Sequence, residues 1–266
     1  MLPPLLNDKA FDEASVFTPE NLLREARRQN GTGNGRVPDI CILDPDGDMV
    51  RFLRSEGRAR RNTDWACYHT ELYDFEIDRQ ALGVVGFAVG ASFAVLVAEE
   101  LFASGCRLVI SVTSSGCIVE KGEPPYFVLI EKALRDEGTS YHYLPPAEYA
   151  ILNAELDRAL SRAFEELATK VYRGTSWTTD APFRETDTAI EAARERGILC
   201  VEMEAAALYA MAEMRGFPVI CFAHVTNQMA RIEGDFEKGE AGGSLQALQL
   251  IVAAVSAVQH ANQWPQ

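Results

Sequence analysis

The chain of 266 residues is poor in basic residues, with 25 Lys and Arg against 39 Asp and Glu and a formal net charge of -14. A phosphate polymer is bound mainly through Lys and Arg, so this balance argues against a nucleic-acid partner, though not against one small anion held locally. No apolar run reaches the roughly 18 residues that a membrane helix needs. The first residues also lack the basic start of a secretory signal. We therefore expect a cytoplasmic protein that binds neither nucleic acid nor membrane.

Metal-binding and disulfide patterns are absent as well. None of the six cysteines forms a CxxC pair, and most lie in apolar runs such as VPDICIL. Buried reduced thiols are the better interpretation than a disulfide framework or a zinc site. The four histidines are scattered without the spacing of metal ligands. We predict no metal and no cofactor.

From residue 37 onward, apolar strand-like runs alternate with helical patterns. Helix-like segments include SFAVLVAEELFASG, residues 148–169, AAALYAMAEMRG and SLQALQLIVAAVSAV. Several strand-like runs are apolar throughout, as in a mostly parallel sheet that is covered on both faces. The pattern predicts one α/β domain over 37–266, with a central mixed, largely parallel sheet flanked by helices. The strand-like runs are VPDICIL, LGVVGFAVGA, CRLVISVTSS, VYRGTSWTT, ILCVEM and FPVICFAHVT.

Residues 1–36 are predicted to form a helical extension of this domain. Thr18 has the character of an N-cap, Pro19 suits the first turn, and Gly31 suits the end of the helix.

Polar clusters follow five of the predicted strands. Because ligands of such sheets gather at the carboxyl ends of the strands, clusters at five strand ends indicate one pocket. The clusters are Asp44 with Asp46, Ser111 to Gly116, Ser176 to Asp180, Glu202 to Glu204, and Thr226 with Asn227.

Three segments resemble the nucleoside phosphorylase family, which includes purine nucleoside phosphorylases, uridine phosphorylases and methylthioadenosine nucleosidases. They are GILCVEMEAAALYAMAEMRGFPVICFAHVTN, YRGTSWTTDAPFRET and VGASFAVLVAEELFASGCRLVISVTSSGCI, with ICILDPDGDMVRFL as a fainter match. The resemblance covers roughly residues 38–260. It implies a three-layer α/β fold and cleavage of the N-glycosidic bond of a nucleoside. It also implies a homodimer or a dimer-based hexamer, because the family completes its sites across subunits.

By this resemblance the Glu-Met-Glu motif holds the sugar. Glu204 would accept hydrogen bonds from the ribose hydroxyls, Met203 would form an apolar floor, and Glu202 would support the turn. Charge-assisted bonds to a carboxylate are among the stronger hydrogen bonds. An alternative is that Glu202 and Glu204 only complement the dipole of the helix that follows.

Asn227 stands where the purine enzymes of the family have an Asp that protonates the base. An amide cannot supply a proton, but it can donate a hydrogen bond to a base carbonyl, which favours a 6-oxopurine or a pyrimidine. We therefore place Asn227 with Glu204 among the catalytic candidates. The remaining base-binding candidates are Ser115, Gly116, Trp177, Phe183 and His224. For the three aromatic residues among them, the alternative is a role in the core or at the rim of the pocket.

The family's two phosphate-binding arginines are replaced, because Met49 or Asp48 stands at one position and Ser111 at the other. The hydroxyls of Thr113 and Ser114 remain as candidate phosphate ligands. Arg60 or Arg61 could reach the site of a neighbouring subunit. Asp46 and Ser92 complete the candidates for binding the nucleophile, although Ser92 could instead cap a helix.

Three functions remain open from the sequence. The first is phosphorolysis, with inorganic phosphate as co-substrate and ribose 1-phosphate as product. The second is hydrolysis, with Asp46 or Glu202 as candidate general base for water. The third is a catalytically weak relative that binds nucleosides, which the intact Glu-Met-Glu motif disfavours.

Overall fold

The computed structural model describes residues 3–7, 9–229 and 233–261. The α-helices are α1 (Pro19–Asn30), α2 (Asp48–Ser55), α3 (Ala91–Ala103), α4 (Ala154–Ala159), α5 (Asp187–Glu195), α6 (Ala205–Arg215) and α7 (Ser244–His260). The strands are β1 (Ile40–Asp44), β2 (Ala59–Arg61), β3 (Leu72–Ile77), β4 (Gln80–Gly86), β5 (Leu108–Cys117), β6 (Tyr126–Asp136), β7 (Tyr149–Ile151), β8 (Val171–Thr179), β9 (Cys200–Glu202) and β10 (Val219–Asn227).

All these strands belong to one mixed sheet. Strand β10 pairs with both β5 and β6, so β5, β10, β6, β8 and β9 close into a ring. From β5 the sheet continues outward through β1, β4, β3 and β2. The predicted α/β domain with a central mixed sheet is confirmed. Among the pairings of the described strands, however, parallel and antiparallel ones are equal in number.

The hydrophobic core lies between the sheet and the helices on its two faces. Every residue of β1 and β10 is buried, as is most of α6. By length and composition the stretch Glu240–His260 resembles a membrane span, but half of it is buried inside the protein, as in a core helix. All six cysteines are buried free thiols, as predicted.

The predicted helix over 148–169 is wrong. Its first residues form strand β7, in which Ala150 pairs with Ala133 of β6. Helix α4 occupies only Ala154–Ala159, begins at the Asn153 N-cap and gives way to turns. The apolar residues of this stretch recur with a helical period, but the first of them pair with the backbone of β6 and extend the sheet instead.

The hairpin of β3 and β4 was not predicted either. Its turn is formed by Asp78 and Arg79, both with positive φ angles of 49° and 64°. Such a turn is normally signalled by Gly or Asn. Without that signal, the strand before the turn could not be told from a loop.

Helix α1 begins and ends where predicted. The Thr18 hydroxyl accepts the backbone N–H of Asn21 at 3.3 Å, and Gly31 ends the helix in the left-handed conformation. Leu23 and Ala26 pack against Ala66 of the following domain, in a small cluster of their own. The division of the chain at residues 36 and 37 stays a prediction.

A buried carboxyl group on α3 generates the first test. Glu100 is 2% exposed, and neither of its carboxyl oxygens has a hydrogen-bond partner among the described residues. Burial raises the pKa of Glu100, and the nearby Cys67 thiol offsets only part of this effect. The folded protein therefore binds a proton that the unfolded chain releases, so this group lowers the free energy of unfolding as pH rises above the unfolded pKa.

We expect Glu100→Met to stabilise the protein at pH 8 by about 1–3 kcal/mol, since an unpaired buried polar group is removed. Near pH 4, where the carboxyl is protonated in both states, the gain should shrink. Thermal unfolding at the two pH values measures this. The control Glu99→Met should destabilise, because Glu99 bonds Arg215 at 2.7 Å and Tyr143 at 3.0 Å. A loss of stability in Glu100→Met at pH 8 would contradict the expectation.

Candidate functional site

Two buried carboxylates mark the junction of β9 and α6. Glu202 ends the strand and is 3% exposed, while Glu204 is the N-cap residue of the helix and is 1% exposed. Met203 between them is only half-buried. The chain thus holds two acids in the interior beside a partly accessible methionine.

Glu202 is held by four donors. Its Oε1 accepts the hydroxyls of Ser176 at 2.9 Å and Thr178 at 2.5 Å. Its Oε2 accepts the backbone N–H groups of Glu204 and Ala205, each at 2.7 Å. Burial raises the pKa of Glu202, and these four bonds oppose that effect by stabilising the carboxylate. The Glu202 carboxylate therefore joins β8 to the first residues of α6.

Glu204 has fewer partners. Its Oε1 accepts the Gly90 N–H at 2.7 Å, and its Oε2 accepts the Met203 N–H at 3.3 Å. The Thr113 hydroxyl is a further hydrogen-bonding neighbour. Burial and the adjacent charge of Glu202 raise the pKa of Glu204 to about 8. Gly90 makes its approach with a φ of 90°, a conformation that favours glycine.

An acidic loop follows β1 beside this junction. Asp46 Oδ2 accepts the backbone N–H of Ser114 at 2.9 Å. Asp44 is buried and accepts the Val50 N–H at 2.9 Å. Burial raises the pKa of Asp44 to about 7, and the charges of Asp46 and Asp48 act in the same direction.

Lys238 supplies a cation that the sequence analysis missed. Its Nζ lies 2.5 Å from Asp48 Oδ2 and 3.6 Å from Asp46 Oδ2. Met49 and Ser111, which the sequence resemblance places at the positions of the family's arginines, are both buried. No sequence signal connects Lys238 with this loop, because the two contacts span 190 residues or more.

Asn227 is the last residue of β10, and hydrogen bonds fix the orientation of its side-chain amide. Its Oδ1 accepts the Met229 N–H at 2.9 Å, while its Nδ2 donates to Thr226 Oγ1 at 3.1 Å and to the Ser115 carbonyl at 3.4 Å. A Cβ atom built on Gly116 would lie 3.5 Å from Asn227 Oδ1 and 2.6 Å from the Met229 sulfur. The structure therefore brings Ser115, Gly116 and Asn227 together and adds Met229, which sequence reasoning missed.

Of the aromatic candidates, His224 lines a small cavity together with Asp46 and Ser114. His224 stacks on Phe127 with ring centroids 4.6 Å apart, and burial together with Lys238 lowers its pKa to about 4. Trp177 packs with Ile190 and Val201 and donates its ring N–H to an Asp136 oxygen at 2.9 Å. Phe183 is 99% exposed.

The outer candidates for holding the nucleophile are exposed. Arg60 and Arg61 are exposed on β2, at the free edge of the sheet. Ser92 lines a separate cavity of about 400 Å³ between α3 and the start of α1. The N-cap of α3 is Gly90, so the alternative capping role of Ser92 is wrong. Within the described part of the chain, no group of three or more His, Cys, Asp or Glu could hold a metal ion.

Comparisons with known proteins agree with this fold. The profile of the phosphorylase superfamily matches residues 29–256, a stretch that begins inside the predicted 1–36 extension. The uridine phosphorylase of Thermococcus kodakarensis is 27% identical over 230 residues, which cover 77% of this chain and 82% of the relative. The guanosine phosphorylase of Halorubrum lacusprofundi is 25% identical over 182 residues, covering 68% and 70% of the two chains.

Among solved structures, uridine phosphorylase from Vibrio fischeri superposes with a TM-score of 0.68 at 21% identity. The superposition covers 85% of this chain and 91% of the other. At this identity the likeness concerns the fold, and it confirms the predicted class.

The environment of Glu202 generates a test by substitution. The Thr178 hydroxyl both donates to Glu202 and accepts the Ala206 N–H at 3.0 Å. Thr178→Val keeps the shape but removes one of the four donors to Glu202 and leaves the Ala206 N–H unpaired, so we expect a loss of about 2–4 kcal/mol in the free energy of unfolding. Thr175→Val on the same strand is the control and should cost less. Equal losses in urea unfolding would show that the hydroxyl bonds contribute nothing specific.

Proposed function

The chain belongs to the phosphorylase superfamily, and from that premise we propose that it cleaves the N-glycosidic bond of a nucleoside and releases the free base. The Glu204 carboxylate is the observation that carries this proposal. It is buried beside a half-buried methionine, and it retains acceptor capacity beyond the Gly90 and Met203 N–H groups. A carboxylate in that position suits a pair of vicinal sugar hydroxyls.

Buried carboxylates with unused acceptor sites are costly unless a ligand or a proton takes them. Ribose hydroxyls would donate to Glu204 and replace the water or the proton that it holds in the free protein. As the bond to the base breaks, the sugar gains positive charge, and the nearby carboxylates stabilise that charge. The chemistry thus needs an ionised Glu204, with Glu202 holding the backbone that presents it.

Asn227 supports a keto base. Its amide N–H groups donate to Thr226 Oγ1 at 3.1 Å and, in a longer bond of 3.4 Å, to the Ser115 carbonyl, so the amide N–H groups would meet a ligand by exchanging the longer of these bonds. They would donate to a base carbonyl and stabilise the negative charge that develops on the departing base. Uracil and guanine, the bases of the substrates that give the two relatives their names, both carry such a carbonyl. We propose uridine, guanosine and inosine as candidate substrates in preference to adenosine.

Phosphate is the nucleophile that the relatives' names support. A phosphorylase would use Lys238 and the hydroxyls of Thr113 and Ser114 as phosphate ligands and would release the free base and ribose 1-phosphate. Hydrolysis is the second candidate function. It is favoured by Asp46, whose own carboxylate accepts the Ser114 N–H that a phosphate oxygen would need.

Assembly at least as a dimer is part of the proposal. Strand β2 carries Arg60 and Arg61 at the sheet edge, with β3, β4 and β1 between it and β5. The two side chains can therefore serve a nucleoside site only in a second copy of the chain.

The direct test is a product assay on inosine, guanosine, adenosine, uridine and thymidine with and without inorganic phosphate. We expect base release from the keto nucleosides. Glu204→Gln should lower kcat/KM about 100-fold or more, since charge-assisted hydrogen bonds contribute about 1.5–3 kcal/mol each. Glu213→Gln, an exposed position on α6, is the matched control. Undiminished turnover in Glu204→Gln would remove its role in sugar binding, and silence across the panel would favour a weak nucleoside-binding relative.

Nucleoside binding should depend on pH through Glu204. The ionised carboxylate accepts the hydroxyls, and its pKa in the free protein is about 8. The Kd should therefore fall by up to about tenfold per pH unit as pH rises toward 8, and level off above it. Calorimetric titration with a nucleoside from pH 6 to pH 9 measures this Kd. Glu204→Gln should bind the nucleoside weakly, and its Kd should show no change of slope near pH 8. A Kd that rises with pH in the native protein would contradict the expectation.

A further inference from the structure

A small cavity lies between the acidic loop, β5 and the start of α7. Its volume is about 20 Å³, and it belongs to the same end of the sheet as Glu204 because Thr113 borders both. The Ser244 hydroxyl is buried and has no hydrogen-bond partner in the described part of the chain. The lining residues that matter below are Asp44, Asp46, Thr113, Ser114 and Ser244.

From this geometry we infer that the nucleophile subsite is built for a single water molecule and excludes phosphate. The inference rests on the proposed cleavage of a nucleoside and goes beyond it by naming the second substrate. It departs from the relatives, which are named as phosphorylases.

The charges beside the cavity disfavour an anion. Asp44, Asp46 and Asp48 all line it. Lys238 is paired with Asp46 and Asp48, and Arg51 also bonds Asp48 at 2.6 Å. Both cations are thus already neutralised by carboxylates. A phosphate with one to two negative charges would have to break these pairs and lie against the remaining acids.

The backbone donor that an anion would use is also taken. Asp46 Oδ2 accepts the Ser114 N–H at 2.9 Å, as a phosphate oxygen would. The protein's own carboxylate therefore fills the anion position. Removing that side chain should expose the N–H and release Lys238 from one of its two partners.

The cavity has room and polar partners for a water molecule. A cavity needs at least about 10–15 Å³ to hold one water, which also needs two to four polar partners. The cavity provides that volume, and the Ser244 hydroxyl and the carboxylates of Asp44 and Asp46 provide the partners. The buried, unpaired Ser244 hydroxyl is explained if it bonds this water.

Asp44 is positioned to act as the general base. One of its oxygens accepts the Val50 N–H, and the residue is buried at the cavity wall. In the step, the water oxygen forms a bond to C1′ of the sugar while the bond from C1′ to the base nitrogen breaks. The electron pair leaves with the base, and the water proton passes to the Asp44 carboxylate. The base then takes a proton from solvent, and the products are free base and free ribose.

The experiment follows the products of native protein in ¹⁸O-labelled water, with and without phosphate. We expect free ribose that carries the label, formed at the same rate in both buffers. Asp44→Asn should lower kcat by about 10²–10⁴-fold, the usual contribution of a general base, with KM unchanged. Phosphate-dependent formation of ribose 1-phosphate would overturn the inference while leaving the proposed cleavage intact.

A binding measurement decides the inference even if no nucleoside is cleaved. Calorimetric titration with inorganic phosphate should give no binding to the native chain and measurable binding to Asp46→Ala. Asp12→Ala, an exposed position on the N-terminal segment, is the control and should behave as the native chain does. Phosphate binding to the native chain that is lost in Ser244→Ala would overturn the inference. Absence of base release across the nucleoside panel would instead count against the proposed function alone.

Discussion

The site depends on one buried carboxylate, that of Glu202. An isolated ion in the interior is costly, and only its four short hydrogen bonds make it tolerable there. Those bonds tie β8, β9 and the first turn of α6 to a single point. They also set the path of the backbone through Met203 and hence the direction of Glu204. Glu202 therefore sets the position of Glu204, the acid that we propose to hold the sugar, without itself contacting the sugar.

A second constraint is the crowding of negative charge around the strand ends. Glu202 and Glu204 are two residues apart, and Asp44, Asp46 and Asp48 lie between the end of β1 and the start of α2. Such a site favours positive charge that develops on a sugar and disfavours a free anion. The same electrostatic field thus supports the proposed glycosidic cleavage and opposes the binding of phosphate.

Much of the fold could be predicted from sequence because its central strands are apolar throughout and its helices have clear ends. Helix α1 between Thr18 and Gly31 is an example. The failures have physical causes. The apolar residues of 148–169 recur with a helical period, but the first of them pair with β6 and form β7. The turn at Asp78 and Arg79 lacks its usual glycine. The pairing of β10 with both β5 and β6 joins strands that are distant in sequence, so no local sequence pattern predicts it.

Within the candidate site, the local sequence was informative where one motif contains both the proposed sugar-binding acid, Glu204, and the acid that holds its backbone, Glu202. It was uninformative where distant segments meet. Lys238 reaches the acidic loop because its neighbour Glu237 lies against the end of β10, where the Glu237 N–H donates to the Thr226 carbonyl. Met229, just after the end of β10, contacts Gly116. The orientation of the Asn227 amide likewise follows from the backbone of Met229, two residues later, and could not be read from the residue type.

The most direct measurement is a crystal structure of the protein with a bound nucleoside, which locates the sugar relative to Glu204. We predict that the 2′- and 3′-hydroxyls both donate to the Glu204 carboxylate, at about 2.5–3.0 Å, with Met203 against the ribose ring. A nucleoside bound with its ribose hydroxyls away from Glu204, or with the carboxylate still contacting only protein, would contradict the proposed role of the Glu-Met-Glu junction.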